Sequence, residues 1–154
     1  SGEYDVVTPY IFSGGASWSF KGFVLSGDLE WIDYTQMEFD DANDDVTALN
    51  RDIKSDLRSV INFRGGLEYT IPKVELKLRG GYALYPSPFK DDPSDYNQKI
   101  ISFGLGYLVE ESLMIDAAYS INSFTTRRVN YDYTSETLEK VNAGNLLVTL
   151  SFRF

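Results

Sequence analysis

Cysteine and histidine are both absent from this 154-residue chain. Without cysteine there is no disulfide framework, no thiol nucleophile and no thiolate metal site. Without histidine the commonest general base and metal ligand is missing as well. No serine has a lysine or carboxylate base at a recognisable spacing, so an enzyme is not expected and no cofactor or metal is implied. Positive charge is scarce: 14 basic residues face 23 acidic ones, for a net charge of −9. That balance argues against a nucleic-acid partner. No run of about 18 apolar residues exists, so no transmembrane helix is expected, although membrane-crossing strands leave little hydropathy signal. The opening Ser1-Gly2-Glu3-Tyr4 has no apolar leader core. A secreted barrel needs one, so either it has been removed or the chain belongs to a longer one.

What is abundant is aromatic and glycine: 11 Tyr, 10 Phe and 12 Gly in a length suited to one domain. The pattern is clearest in the last ten residues. Leu146, Val148, Leu150, Phe152 and Phe154 fall on one face of an extended strand, and Asn145, Thr149, Ser151 and Arg153 on the other, with Leu147 the only apolar exception there. An apolar stripe closed by a terminal Phe has the form of the last strand of a transmembrane β-barrel.

The same alternation recurs upstream. Tyr10 to Phe20 and Phe23 to Tyr34 flank a tight Lys21-Gly22 turn and read as a hairpin. Ile61 to Ile71 and Val74 to Leu84 flank Pro72-Lys73, and Ile101 to Val109 and Leu113 to Ile121 flank Glu110-Glu111-Ser112. Between hairpins, Val46, Leu49, Ile53 and Leu57 recur at helical spacing behind Asp44 and Asp45 as candidate N-caps. The expectation is an all-β, antiparallel transmembrane β-barrel of outer-membrane type, with seven meander strands in a single region 1–154. Short turns lie on one side and long loops, about 40–57, 87–98 and 125–142, on the other. That asymmetry assigns the loops to the extracellular side and the turns to the periplasmic side.

Seven is odd, and open sheet edges are prohibitive in lipid. Three remedies are open: an upstream N-terminal half, a second copy, or an eighth short strand within Gly2 to Val7.

The charges expected to face inward, as lumen-lining residues, are Asp28, Glu30, Arg64, Glu68, Glu75, Lys77, Arg79, Asp116 and Arg153. They would either line a solute path or form a paired network that fills the barrel. A two-residue turn at Pro72-Lys73 sets Glu68 opposite Lys77 and Arg79 opposite Gly66. Trp18, Phe20, Tyr69, Tyr107, Phe152 and Phe154, with Trp31, Tyr82 and Tyr85 at the other ends, read as two aromatic girdles. Phe39, Leu49, Ile53 and Phe89 on the outer loops are the candidate hydrophobic capture residues. Asp41-x-Asn43-x-Asp45 has calcium-loop spacing, but Val46 replaces the required glycine and the twelfth position is Asp52.

Several stretches carry a family resemblance. They are Thr8-Pro9, Asp28-Leu29-Glu30-Trp31-Ile32-Asp33-Tyr34, Gly66-Leu67-Glu68-Tyr69 and Leu78-Arg79-Gly80-Gly81-Tyr82 running on to Pro86-Ser87-Pro88-Phe89. Ser102-Phe103-Gly104-Leu105-Gly106-Tyr107 and Ile115-Asp116-Ala117-Ala118-Tyr119 come next in order. Together they resemble the FadL-like outer-membrane transporters of long-chain fatty acids and hydrocarbons. The resemblance implies a fourteen-stranded barrel of which this is the C-terminal half, placed in a bacterial outer membrane. It implies passive uptake of hydrophobic compounds, with membrane lipid and a hydrophobic small molecule or detergent as partners. The alternative is a structural or adhesive barrel whose lumen is sealed by charge.

Overall fold

A computed structural model describes residues 5–40, 44–109, 112–129 and 135–152. The elements are β1 (Asp5–Val7), β2 (Tyr10–Phe20), β3 (Phe23–Asp33), β4 (Glu38–Asp40), α1 (Asp44–Asp56) and β5 (Ser59–Ile71). They continue as β6 (Leu76–Tyr85), β7 (Gln98–Val109), β8 (Leu113–Val129) and β9 (Glu136–Phe152). Single 3-10 turns occupy Tyr34–Gln36 and Ser94–Tyr96. Seven strands form one antiparallel sheet in the order β2-β3-β5-β6-β7-β8-β9. The edges β2 and β9 do not pair with each other, and both run from the loop end of the sheet toward the turn end.

The alternation in the sequence is the alternation of the two faces. Register places Trp31 beside Ile61, Leu29 beside Phe63, and Leu25 beside Leu67. Leu78 then meets Leu105, Phe103 meets Tyr119, and Tyr119 meets Leu146. One apolar face therefore runs unbroken across all seven strands. It is also uncovered. Among the described residues the buried apolar side chains are Ile32 and Val60, whereas Phe12, Leu25, Phe103, Leu105 and Leu146 are all exposed. Aromatic pairs mark both ends of this face. Phe23 stacks on Tyr69 at 4.2 Å and Trp18 on Phe20 at 5.6 Å near the turns, while Phe12 packs on Trp31 at 5.7 Å toward the loops. Tyr85 departs from the girdle expectation: it follows the parity of Ala83 and Gly81 on the polar face, and its side chain reaches Arg64.

Turns set the register. Lys21 and Gly22 both have positive φ (47° and 86°), the backbone form that matches the twist of a two-residue hairpin. A Cβ on Gly22 would also lie 2.9 Å from the Thr70 carbonyl oxygen, so this position needs glycine on two counts. The next turn is longer than expected. It takes in Pro72 to Glu75, with Lys73 and Glu75 at positive φ, and the strands resume at Ile71 opposite Leu76. Glu68 consequently faces Arg79 rather than Lys77, and Gly66 faces Gly81 rather than Arg79. Glu75 leaves the inward row and sits exposed in the turn.

One loop expectation is corrected, and one of the three remedies for closure is not seen. The stretch 125–142 is mostly strand, because β8 and β9 pair continuously as far as Val129 opposite Glu136. The Asp5–Val7 strand joins Glu38–Asp40 in a separate two-stranded ribbon and adds nothing to the main sheet. The helix lies where the 3.6-residue spacing put it, but it starts at Asp44, so Asp44 and Asp45 belong to its first turn instead of preceding it, and it ends at Asp56 before Leu57. Its helical course from Asp44 is incompatible with a calcium loop over the same residues, and residues 41–43 lie outside the described set.

Candidate functional site

The polar face carries two ionic groups, each assembled across neighbouring strands. In the first, Arg64 on β5 donates from Nε to Asp28 Oδ1 on β3 at 2.6 Å. Its Nη2 lies 3.8 Å from Glu30 Oε2, and Asn62 Nδ2 donates to Glu30 Oε1 at 2.9 Å. In the second, Arg79 on β6 bridges two strands, donating from Nε to Glu68 Oε2 at 2.7 Å and from Nη1 to Asp116. Lys77 Nζ completes it, 3.4 Å from Glu68 Oε1. These seven charges, all expected to share one face, do so and are ion-paired. Arg153 lies outside the described residues.

Between the two groups runs a row of small polar or side-chain-free residues: Ser17, Ser26, Gly66, Gly81, Ser102 and Ser120. The reach of Arg79 to Asp116 crosses β7 at bare positions, where a Cβ at Gly106 would lie 3.1 Å from Arg79 Nη1. A Cβ at Gly104 would come within 3.3 Å of the Arg79 Cβ.

The loop end is built differently. Asn50, buried on α1, clamps β4 by donating from Nδ2 to the Phe39 carbonyl and accepting from the Phe39 N–H, both at 2.9 Å. Lys90 donates its Nζ to the Lys54 and Ser55 carbonyls at 2.9 and 2.5 Å, satisfying acceptors at the helix C-terminus. Arg58 holds the Ser87 carbonyl through both Nε and Nη2 at 3.1 and 3.0 Å. Leu57 bridges Phe89, so the helix loop and the 86–97 loop are bound together.

The four capture candidates are not gathered into one surface. Phe39 borders a hollow of about 360 Å³ with Thr47, Asn50 and Lys54, while Phe89 borders a separate cleft of about 520 Å³. Leu49 and Phe89 are each 51% exposed, and Ile53 is half-buried. The larger cleft lies between the end of α1, the 86–97 loop and the upper part of β8. It includes Ser87, Asp92, Tyr96, Phe124 and Arg127, none of which has a periodic signal in the sequence. Arg127 stands beyond the seven-stranded part of the sheet, 5.8 Å from the Tyr96 ring and 3.3 Å from Glu136. The Tyr96 side chain first, then the Glu136 charge, raises its pKa above the ordinary value.

Similarity to known proteins adds nothing to this geometry. No family model, curated protein or solved structure matches the chain.

Proposed function

We propose that this chain is wall of a transmembrane β-barrel in a bacterial outer membrane, one that takes up hydrophobic compounds such as long-chain fatty acids. What supports it above all is the uncovered apolar face, continuous over seven strands, backed by a face of paired charges. In water such a layer would leave several large apolar side chains per strand unburied, each forfeiting about 1.5–3 kcal/mol. Soluble folds bury such a face against a second layer; hydrocarbon makes that layer unnecessary. The dimensions agree. The 11 residues of β2 reach about 33 Å, or about 25 Å at a barrel tilt of roughly 40°. The FadL-like sequence elements lie on these strands and supply the uptake half of the proposal.

A second reading has its own support. Every described charge of the polar-face network is paired, which suits a sealed, structural or adhesive barrel. Cells with and without the protein separate the two. Membrane fractionation and uptake of a labelled fatty acid and a labelled alkane are the measurements. An outer-membrane protein whose loss slows uptake supports transport. Unchanged uptake with altered surface adhesion supports the sealed barrel, and recovery in the soluble fraction overturns both.

A further inference from the structure

We propose that the 520 Å³ cleft at the loop end is a binding site for a small organic ammonium cation carrying an apolar or aromatic group. This adds to the uptake reading and does not rest on it. The volume is within the range of small-molecule pockets. Phe89, Tyr96 and Phe124 supply ring surface, and Asp56, Asp91 and Asp92 supply carboxylates spread around the lining. Among the described residues no three carboxylates are close enough together to hold a metal ion, so the negative charge is distributed over a cleft and not focused on a point.

The nearby cations offset it only in part, the Arg127 charge acting on Asp92 as well. Arg127 is the only basic residue of the lining and is engaged by Glu136 and Tyr96. Lys90, next in sequence to Phe89 and Asp91, turns its ammonium to the helix carbonyls. Among the described residues, no ion pair reaches Asp56, Asp91 or Asp92. The lining thus carries three carboxylates to one guanidinium beside the exposed Phe89 ring and the part-exposed Phe124 ring, the pairing of negative charge and π surface that holds an organic ammonium.

The walls are also fixed in advance. Ser87, buried, donates its hydroxyl to Asp92, and its N–H donates to Asn97 Oδ1 at 3.0 Å. Arg58 grips the same residue's carbonyl. A site whose carboxylate and ring positions are set before binding loses less ordering entropy on occupation. A carboxylate-headed ligand is disfavoured here by charge.

The test is a calorimetric titration of the folded full chain in non-ionic detergent with benzyltrimethylammonium, and with phenylacetate and benzyl alcohol as anionic and neutral counterparts. Saturable binding of the cation, with the anion at least tenfold weaker, is expected. Asp56→Asn combined with Asp91→Asn should weaken the cation about five- to tenfold and leave benzyl alcohol unchanged. Phe89→Leu, which keeps apolar bulk but removes the ring, should weaken it about threefold. Circular dichroism confirms that each variant is folded. Equal affinity for cation and anion, or no saturable cation binding by the folded wild type, overturns the proposal. So does cation affinity unaltered in both variants.

Discussion

The body of the sheet and its loop end are held together by opposite means. In the body, backbone ladders join strands whose apolar face is covered by no second layer among the described residues, and the ion pairs lie on the polar face. At the loop end the side chains themselves tie the structure: Asn50 to β4, Lys90 to α1, Arg58 to the 86–97 loop. Body residues specify the surroundings the sheet requires, whereas loop-end residues specify contacts within the chain.

The sharpest way to break that contrast is to put charge on each face of the body. Leu78→Arg, on the apolar face, is expected to cost about 2–4 kcal/mol in lipid vesicles. Ser102→Arg, on the polar face, should cost far less. Equal loss in a refolding titration with vesicles would mean that the two faces do not differ in their surroundings. Next in size is Arg79→Ala, which leaves Glu68 and Asp116 without their shared cation. Because the side chain is about a third exposed, at 34%, the loss is expected to be about 2 kcal/mol, below that of a fully buried pair. Adding Asp116→Ala should restore part of it, as read from denaturation midpoints in detergent.

The loop end should respond locally. Asn50→Ala removes both bonds to Phe39 and is expected to cost about 1 kcal/mol, seen as faster hydrogen exchange in α1 with the sheet unchanged. Loss of protection across the sheet as well would erase the distinction between the two regions. Smallest is Lys90→Met, where loss of a cation from the helix C-terminus should amount to about 0.3–1 kcal/mol. Proteolysis near residues 54–58 is the sensitive measure of it.

Legibility in the sequence divides along the same line. Period-two alternation in Phe23 to Trp31 or Leu146 to Phe152 states the face of every residue, and positions 46, 49, 53 and 57 state the helix. Register was not legible at Pro72. Val74 continues the apolar alternation whether it is strand or turn, and a two-residue slip keeps every side chain on its face. The upper halves of β8 and β9 were hidden for another reason. Thr125, Arg127 and Lys140 on one face and Thr126, Arg128 and Glu139 on the other are all polar, so that hairpin has strand geometry with no hydropathic period. The cleft was hidden because its residues meet through contacts between loops and strands far apart in the chain, Tyr96 with Arg127 and Arg58 with Ser87 among them, which leave no spacing to read.

An odd number of strands gives this sheet a polarity. Both borders, β2 and β9, point the same way. Joining them directly, or seaming the sheet to an identical copy inserted in the same sense, produces parallel junctions. Closure by antiparallel pairing throughout takes an odd number of additional strands whose two outer members run from the turn end to the loop end. The sheet therefore carries a directional rule for its complement, independent of side chains: the matching piece is its mirror in strand direction, and a duplicate of itself does not satisfy that rule.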